Sequence, residues 1–114
     1  MSYEHSPVFV KAYDLIAWLL PQTQGFPKSQ RFVLAKRVED AALDVQEALI
    51  AAGKTQRAEQ RRYLLQADIR LEQLRLFWRL CHTLDLVPLG RYAHGARMID
   101  EVGRLLGGWI ASVE

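Results

Sequence analysis

Residues 64–81 read LLQADIRLEQLRLFWRLC, and their apolar side chains fall into two sets rather than one. At 100° per residue, Leu64, Ala67, Leu71, Leu74, Trp78 and Cys81 make a stripe with three-and-four spacing, the seam that a helical bundle buries. Leu65, Ile69, Leu76 and Leu80 make a second stripe on nearly the opposite side, broken at its edge by Glu72. A helix in an isolated four-helix bundle turns that side to water. An apolar strip there marks association, so the spacing predicts a homo-oligomer with Leu65, Ile69, Leu76 and Leu80 in or near the subunit interface. The competing reading is scattered exposed leucines of no consequence, which are common on protein surfaces.

The same period recurs on either side. Phe9, Ala12, Tyr13, Ile16, Leu19 and Leu20 repeat at three and four, behind Ser6 as cap and Pro7 at the first helical position. Leu34, Val38, Ala41, Ala42, Val45 and Leu49 mark a second helix from about Pro27 to Ala52, with Gly53 placed to close it. The third starts near Thr55 and runs without Gly or Pro to about Val87. Pro88 opens a fourth through Tyr92, Ala96, Ile99, Leu106, Ile110 and Val113. Gly107-Gly108, inside that pattern, reads as a place of close helix packing. No segment alternates with period two. The expected fold is therefore all-α, an up-down-up-down antiparallel four-helix bundle with residues 1–114 as a single domain. Half the residues are hydrophobic and a quarter charged, enough for one continuous core.

Several function classes fall away on composition. The longest apolar run, Leu15 to Leu20, is far short of the ~20 residues of a membrane span, and MSYEHSPVF has no basic segment or cleavage-like site. A cytoplasmic protein without membrane contact is expected. The single cysteine, Cys81, lies in the seam and reads as a buried thiol. There is no HExxH, CxxC, GxSxG or glycine-rich phosphate loop, and His5, His82 and His94 sit on different elements. No catalytic residue, metal or cofactor is expected. The remaining enzyme reading is a small helical protein in which Arg37, Arg70 and Arg97 clamp a dianionic substrate, and it requires a convergent acid or glutamine partner.

A net charge of +2 says little, but its distribution says more. Residues 28–37 carry Lys28, Arg31, Lys36 and Arg37 without an acid, and Glu39, Asp40, Asp44 and Glu47 follow. Cations in a first helical turn oppose the macrodipole at about 0.3 kcal/mol each, so Lys28 and Arg31 call for another use. On the third helix Arg57, Arg61, Arg75 and Arg79 lie along one flank, with Asp68 and Glu72 between the pairs. The ends of that line are about 33 Å apart, which suits an extended polyanion rather than a small ligand. Ion pairing at i, i+4 is the alternative, at about 0.3–0.5 kcal/mol a pair, and it leaves Arg57 and Arg61 without acids at that spacing. Between the first two helices, PQTQGFPKSQRF (21–32) reads as a tight reversal, with Gly25 accepting φ > 0 and Pro27 presetting the next helix.

Residues 13–52 carry a resemblance. Tyr13-Asp14, Trp18-Leu19-Leu20-Pro21, the heptapeptide FPKSQRF (26–32) and Arg37-Val38-Glu39-Asp40 closely resemble the four-helix-bundle family of the accessory variability determinant of diversity-generating retroelements and of ribosomal RNA intervening-sequence proteins. The family's more usual glycine is Ala35 here. The resemblance implies a homo-oligomeric, pentameric barrel with a basic surface and no catalysis of its own. It also implies two partners, a reverse transcriptase and nucleic acid, either template RNA or cDNA, during mutagenic retrohoming. Lys28 and Arg31 at their helix start, with Arg57, Arg61, Arg75 and Arg79, are then the phosphate-contacting residues. The alternative is a structural protein–protein adapter of the same family that binds no nucleic acid.

Overall fold

Each three-and-four pattern becomes one helical rod. The computed structural model describes residues 6–114; His5 and the other residues ahead of Ser6 lie outside the described residues. Helix α1 spans Pro7–Gln24. Helix α2 occupies residues 28–53 in three consecutive segments, Lys28–Gln30, a π-helical turn Arg31–Ala35, and Lys36–Gly53. Helix α3 spans Arg57–Thr83 and α4 spans Leu89–Ser112. Among the described residues there is no strand. α1 packs on α2 and α4, and α3 packs on the same two, closing a four-membered cycle. The connections are too short for anything but antiparallel neighbours. α3 alone, at about 1.5 Å per residue, is about 40 Å long and sets the 43 Å long axis.

The first stripe of α3 is the core seam. Leu64, Ala67, Leu71, Leu74, Trp78 and Cys81 are each no more than 1% exposed. They meet Leu15 and Leu19 of α1, Val38, Val45 and Leu49 of α2, and Ile99, Val102 and Leu106 of α4 in one continuous cluster. Trp78 is the anchor. Its Nε1 donates to the Tyr92 carbonyl at 2.9 Å, and Trp18 meets its ring edge-on at 5.8 Å. Gly95 of α4 lies directly against the indole, so that a Cβ there would come within 2.5 Å of Nε1. The close approach expected at Gly107-Gly108 is absent, since a Cβ on either meets nothing within 4 Å.

The chain reversals depart from the sequence reading. α1 does not stop before Pro21 but runs through it for one more turn, where the lost N–H falls on the exposed side of the helix end. Thr23, buried in that last turn, donates its hydroxyl to the Glu39 carboxylate of α2. Gly25 has φ −83° and ψ −2°, so the reversal uses no left-handed residue; Pro27 is extended and caps α2 instead of beginning it. Gly53 stays inside α2. The hydroxyl of Thr55 donates to the Ala51 carbonyl and the Gln60 amide to the Ala52 carbonyl, so side chains satisfy the last carbonyls of α2 without a left-handed glycine. That is why α3 begins at Arg57 rather than Thr55. At its other end, α3 closes with Asp85 at φ 60°. The N–H of Leu86 reaches the Cys81 carbonyl and that of Asp85 the His82 carbonyl, the pair of bonds of a Schellman motif with aspartate where glycine usually sits.

The π turn has a cause that can be read from phase. Counting back from Val38, Ala35 and Leu34 at seven, four and three, an uninterrupted α-helix puts Arg31 on the core face. Burying an unpaired guanidinium is prohibitive. The wider turn, in which the Lys36 N–H bonds to the Arg31 carbonyl five residues back, lets Leu34 and Ala35 stay buried while Arg31 is exposed.

Candidate nucleic-acid interface

The six basic residues singled out by sequence do not form one patch. Lys28 and Arg31 are exposed at the end of the bundle where α1 turns into α2. Because α3 runs antiparallel to α2, Arg75 and Arg79 lie towards that same end on the flank facing α4, and Arg57 and Arg61 lie at the other end. The flank is only partly cationic. Arg75 donates to Glu72 at 2.6 Å and to Asp100 of α4 at 3.3 Å, and Arg61 pairs with Glu114 at 3.3 Å. Glu72 was visible as a neighbour in sequence; Asp100 and Glu114 were not, because only packing of α4 on α3 brings them there. Among the described residues Lys28, Arg31, Arg57 and Arg79 form no ion pair. Exposed pairs of this kind are worth about 0–1 kcal/mol, so a phosphate can compete for Arg61 and Arg75 as well. Arg57 also carries a backbone peculiarity, φ 55° at the first position of α3.

The second stripe is open to solvent in the single chain. Leu65, Ile69, Leu76 and Leu80 are 36%, 58%, 52% and 38% exposed. Leu43 and Ile50 of α2, seven residues apart and opposite that helix's core face, are exposed as well.

Between α2 and α3 runs a groove of about 500 Å³ whose walls carry Phe32 and Phe77, the cations Lys36, Arg37 and Arg70, the carboxylates Asp40 and Asp44, and Gln73. Arg70 donates to Gln73 Oε1 at 3.1 Å and stands 3.9 Å from Asp44, while Lys36 pairs with Asp40 at 3.0 Å. The structure thus brings Arg37 and Arg70 together, but Arg97 lines a separate cleft of about 210 Å³ with Lys11, Asp14, His94 and Glu101. The three-arginine clamp is not formed. In that cleft region Arg104 donates two hydrogen bonds to Glu101 and holds its carboxyl below the usual range.

The remaining reactive side chains are occupied structurally. His82 stacks on Tyr92 at 4.9 Å with Nδ1 3.1 Å from the Val87 carbonyl, and His94 packs on Trp18 at 4.8 Å. Burial pushes the Cys81 thiol up to about 12, which removes the thiolate that a nucleophile or ligand would need. Among the described residues no three His, Cys, Asp or Glu side chains are grouped to hold a metal ion, and no helix is long and apolar enough to cross a membrane.

A family model described as bAvd-like matches residues 8–113, a range that takes in all four helices. No curated protein matches the chain.

Proposed function

Since the chain belongs to the bAvd-like family, we propose that it is a non-catalytic accessory subunit of a diversity-generating retroelement, which holds template RNA or its cDNA copy against the reverse transcriptase during mutagenic retrohoming. The observation that carries the reading is the placement of cations without an ion pair among the described residues: Lys28, Arg31, Arg57 and Arg79 are exposed and distributed over both ends of the bundle. Such an array fits a backbone of regularly spaced phosphates better than a small ligand. Leu65, Ile69, Leu76 and Leu80 then bury one another between copies in a pentameric, cytoplasmic barrel, and each basic patch is repeated around it. Repetition compensates for a net charge of only +2 per chain.

The test is binding of a labelled single strand across a salt series, where each phosphate neutralised adds about −0.7 to the log–log slope. A steep slope and little sequence preference are expected. The adapter reading gains one specific observation, the engagement of Arg61 and Arg75 by acids of α4 and the C-terminus. It requires no binding even at low salt, together with capture of the reverse transcriptase.

A further inference from the structure

We propose that the groove between α2 and α3 is a stacking site for an unpaired nucleobase, with Phe32 as the platform and Arg37 holding the adjoining phosphate. The proposal rests on the nucleic-acid reading above and adds a place and a strand preference to it.

Phe32 is 83% exposed, more than any other large hydrophobic side chain among the described residues. A phenylalanine ring left in water forgoes the gain of burial unless a partner covers it. Its position is set by the π turn. The turn that carries Arg31 off the core face also swings Phe32 around α2, and the ring lines the α2–α3 groove. π turns recur at functional sites because they place side chains where a regular helix does not.

The walls suit a base better than another protein's apolar side chain. Phe77 is half-buried on the α3 side, and the Gln73 amide and Arg70 guanidinium beside it supply both an acceptor and donors for a base edge. Arg37 lies in the same groove with no ion pair, whereas Lys36 and Arg70 are each next to an aspartate. Of these three groove cations, Arg37 is the one without an ion pair among the described residues. At about 500 Å³ the groove lies within the range of small-ligand pockets, about 300–1,000 Å³. Lys28 and Arg31, preceding Phe32 on the same helix, extend the cationic track beyond it. Only an unpaired base can present its face to the ring, so the site selects single strands.

The experiment compares the full chain with Phe32→Ala, Phe32→Tyr, Arg37→Gln and, as a remote control, Arg91→Gln. Each is titrated with a 20-nucleotide single strand and a duplex of equal length over a salt series, with molecular mass measured by light scattering. Phe32→Ala is expected to weaken single-strand binding about 5- to 100-fold at every salt concentration, with little change for duplex. Phe32→Tyr, which keeps the ring, is expected to restore it. Arg37→Gln should flatten the single-strand slope by about 0.7, and Arg91→Gln should leave the groove's contribution intact. Because Phe32 is exposed, its truncation leaves the core as it is. Wild-type protein that binds neither strand form at low salt sinks the nucleic-acid reading itself. Wild-type binding that Phe32→Ala leaves unchanged, or weakens equally for duplex, overturns the groove alone. A loss of affinity accompanied by a changed molecular mass also overturns it, and assigns Phe32 to contact between copies.

Discussion

Trp78 and Gly95 are a matched pair, an indole and the one residue type that leaves room for it. Gly95→Ala forces a methyl into the 2.5 Å gap and is expected to destabilise the protein by about 1–3 kcal/mol in urea denaturation. An effect below about 0.5 kcal/mol means that the two helices are looser than drawn. Asp85 presents the opposite case. Its left-handed backbone is strained by roughly 1 kcal/mol, so Asp85→Gly is expected to stabilise by about that amount and Asp85→Val to destabilise. Cys81 makes a pH prediction. Its folded pKa is raised from 9.0 to about 12, so the unfolded thiol ionises first. Its contribution is fully present below pH 9 and is lost between pH 9 and about 12, at about 1.4 kcal/mol per pH unit. Measured against Cys81→Ala, the wild type should lose stability more steeply in that window; parallel curves count against a buried thiol. Of these residues, Trp78 and Cys81 were legible from phase alone. Gly95 was not, because its importance lies in what α4 faces, and Asp85 was not, because a left-handed aspartate leaves no compositional mark.

The elements follow from periodicity, and their ends do not. Apolar spacing depends on one helix at a time and is recorded in the chain. A helix end depends on which groups satisfy the last carbonyls, and here Thr55 and Gln60 do so where Gly53 had been expected to. The π turn was not read from the sequence, although Arg31 at three, four and seven residues before buried positions conflicts with a regular helix. It holds one residue more than an α-turn needs. Deleting exposed Val33 should therefore let the rod close as a regular helix, keep the register of Lys36–Gly53, and lower stability by less than about 2 kcal/mol. Deleting Ala42, in the regular segment, rotates one half of the core by 100° and should abolish cooperative melting. Circular dichroism melts of the two deletions decide it, and equal damage from both means that the π turn is required rather than accommodating.

For the molecule as a whole, the two-faced third helix is the feature that sequence shows best and the single chain leaves unsatisfied. Ile69→Glu or Leu76→Glu should convert a multi-subunit mass to that of one chain in light scattering, with helical content retained; a wild-type chain already monomeric at micromolar concentration removes the barrel. The cationic flank was only half legible: Glu72, which pairs with Arg75, stood beside it in the sequence, but Asp100 and Glu114 come from α4 and the C-terminus. Arg57 and Arg79 are consequently the sharper probes, and each replaced by Gln should flatten a single-strand salt slope by about 0.7. The short connections have a consequence in time. A bundle whose neighbours are joined by a few residues acquires its helices and core within microseconds to milliseconds, well before separate chains meet in dilute solution. Each newly folded copy would then carry a finished core and a bare leucine stripe. Refolding followed by ellipticity should be independent of protein concentration, while the later burial of the stripe should accelerate in proportion to it. On the oligomeric reading proposed above, the interval before copies meet is when the stripe is bare and the chain is most exposed to a holdase or to aggregation.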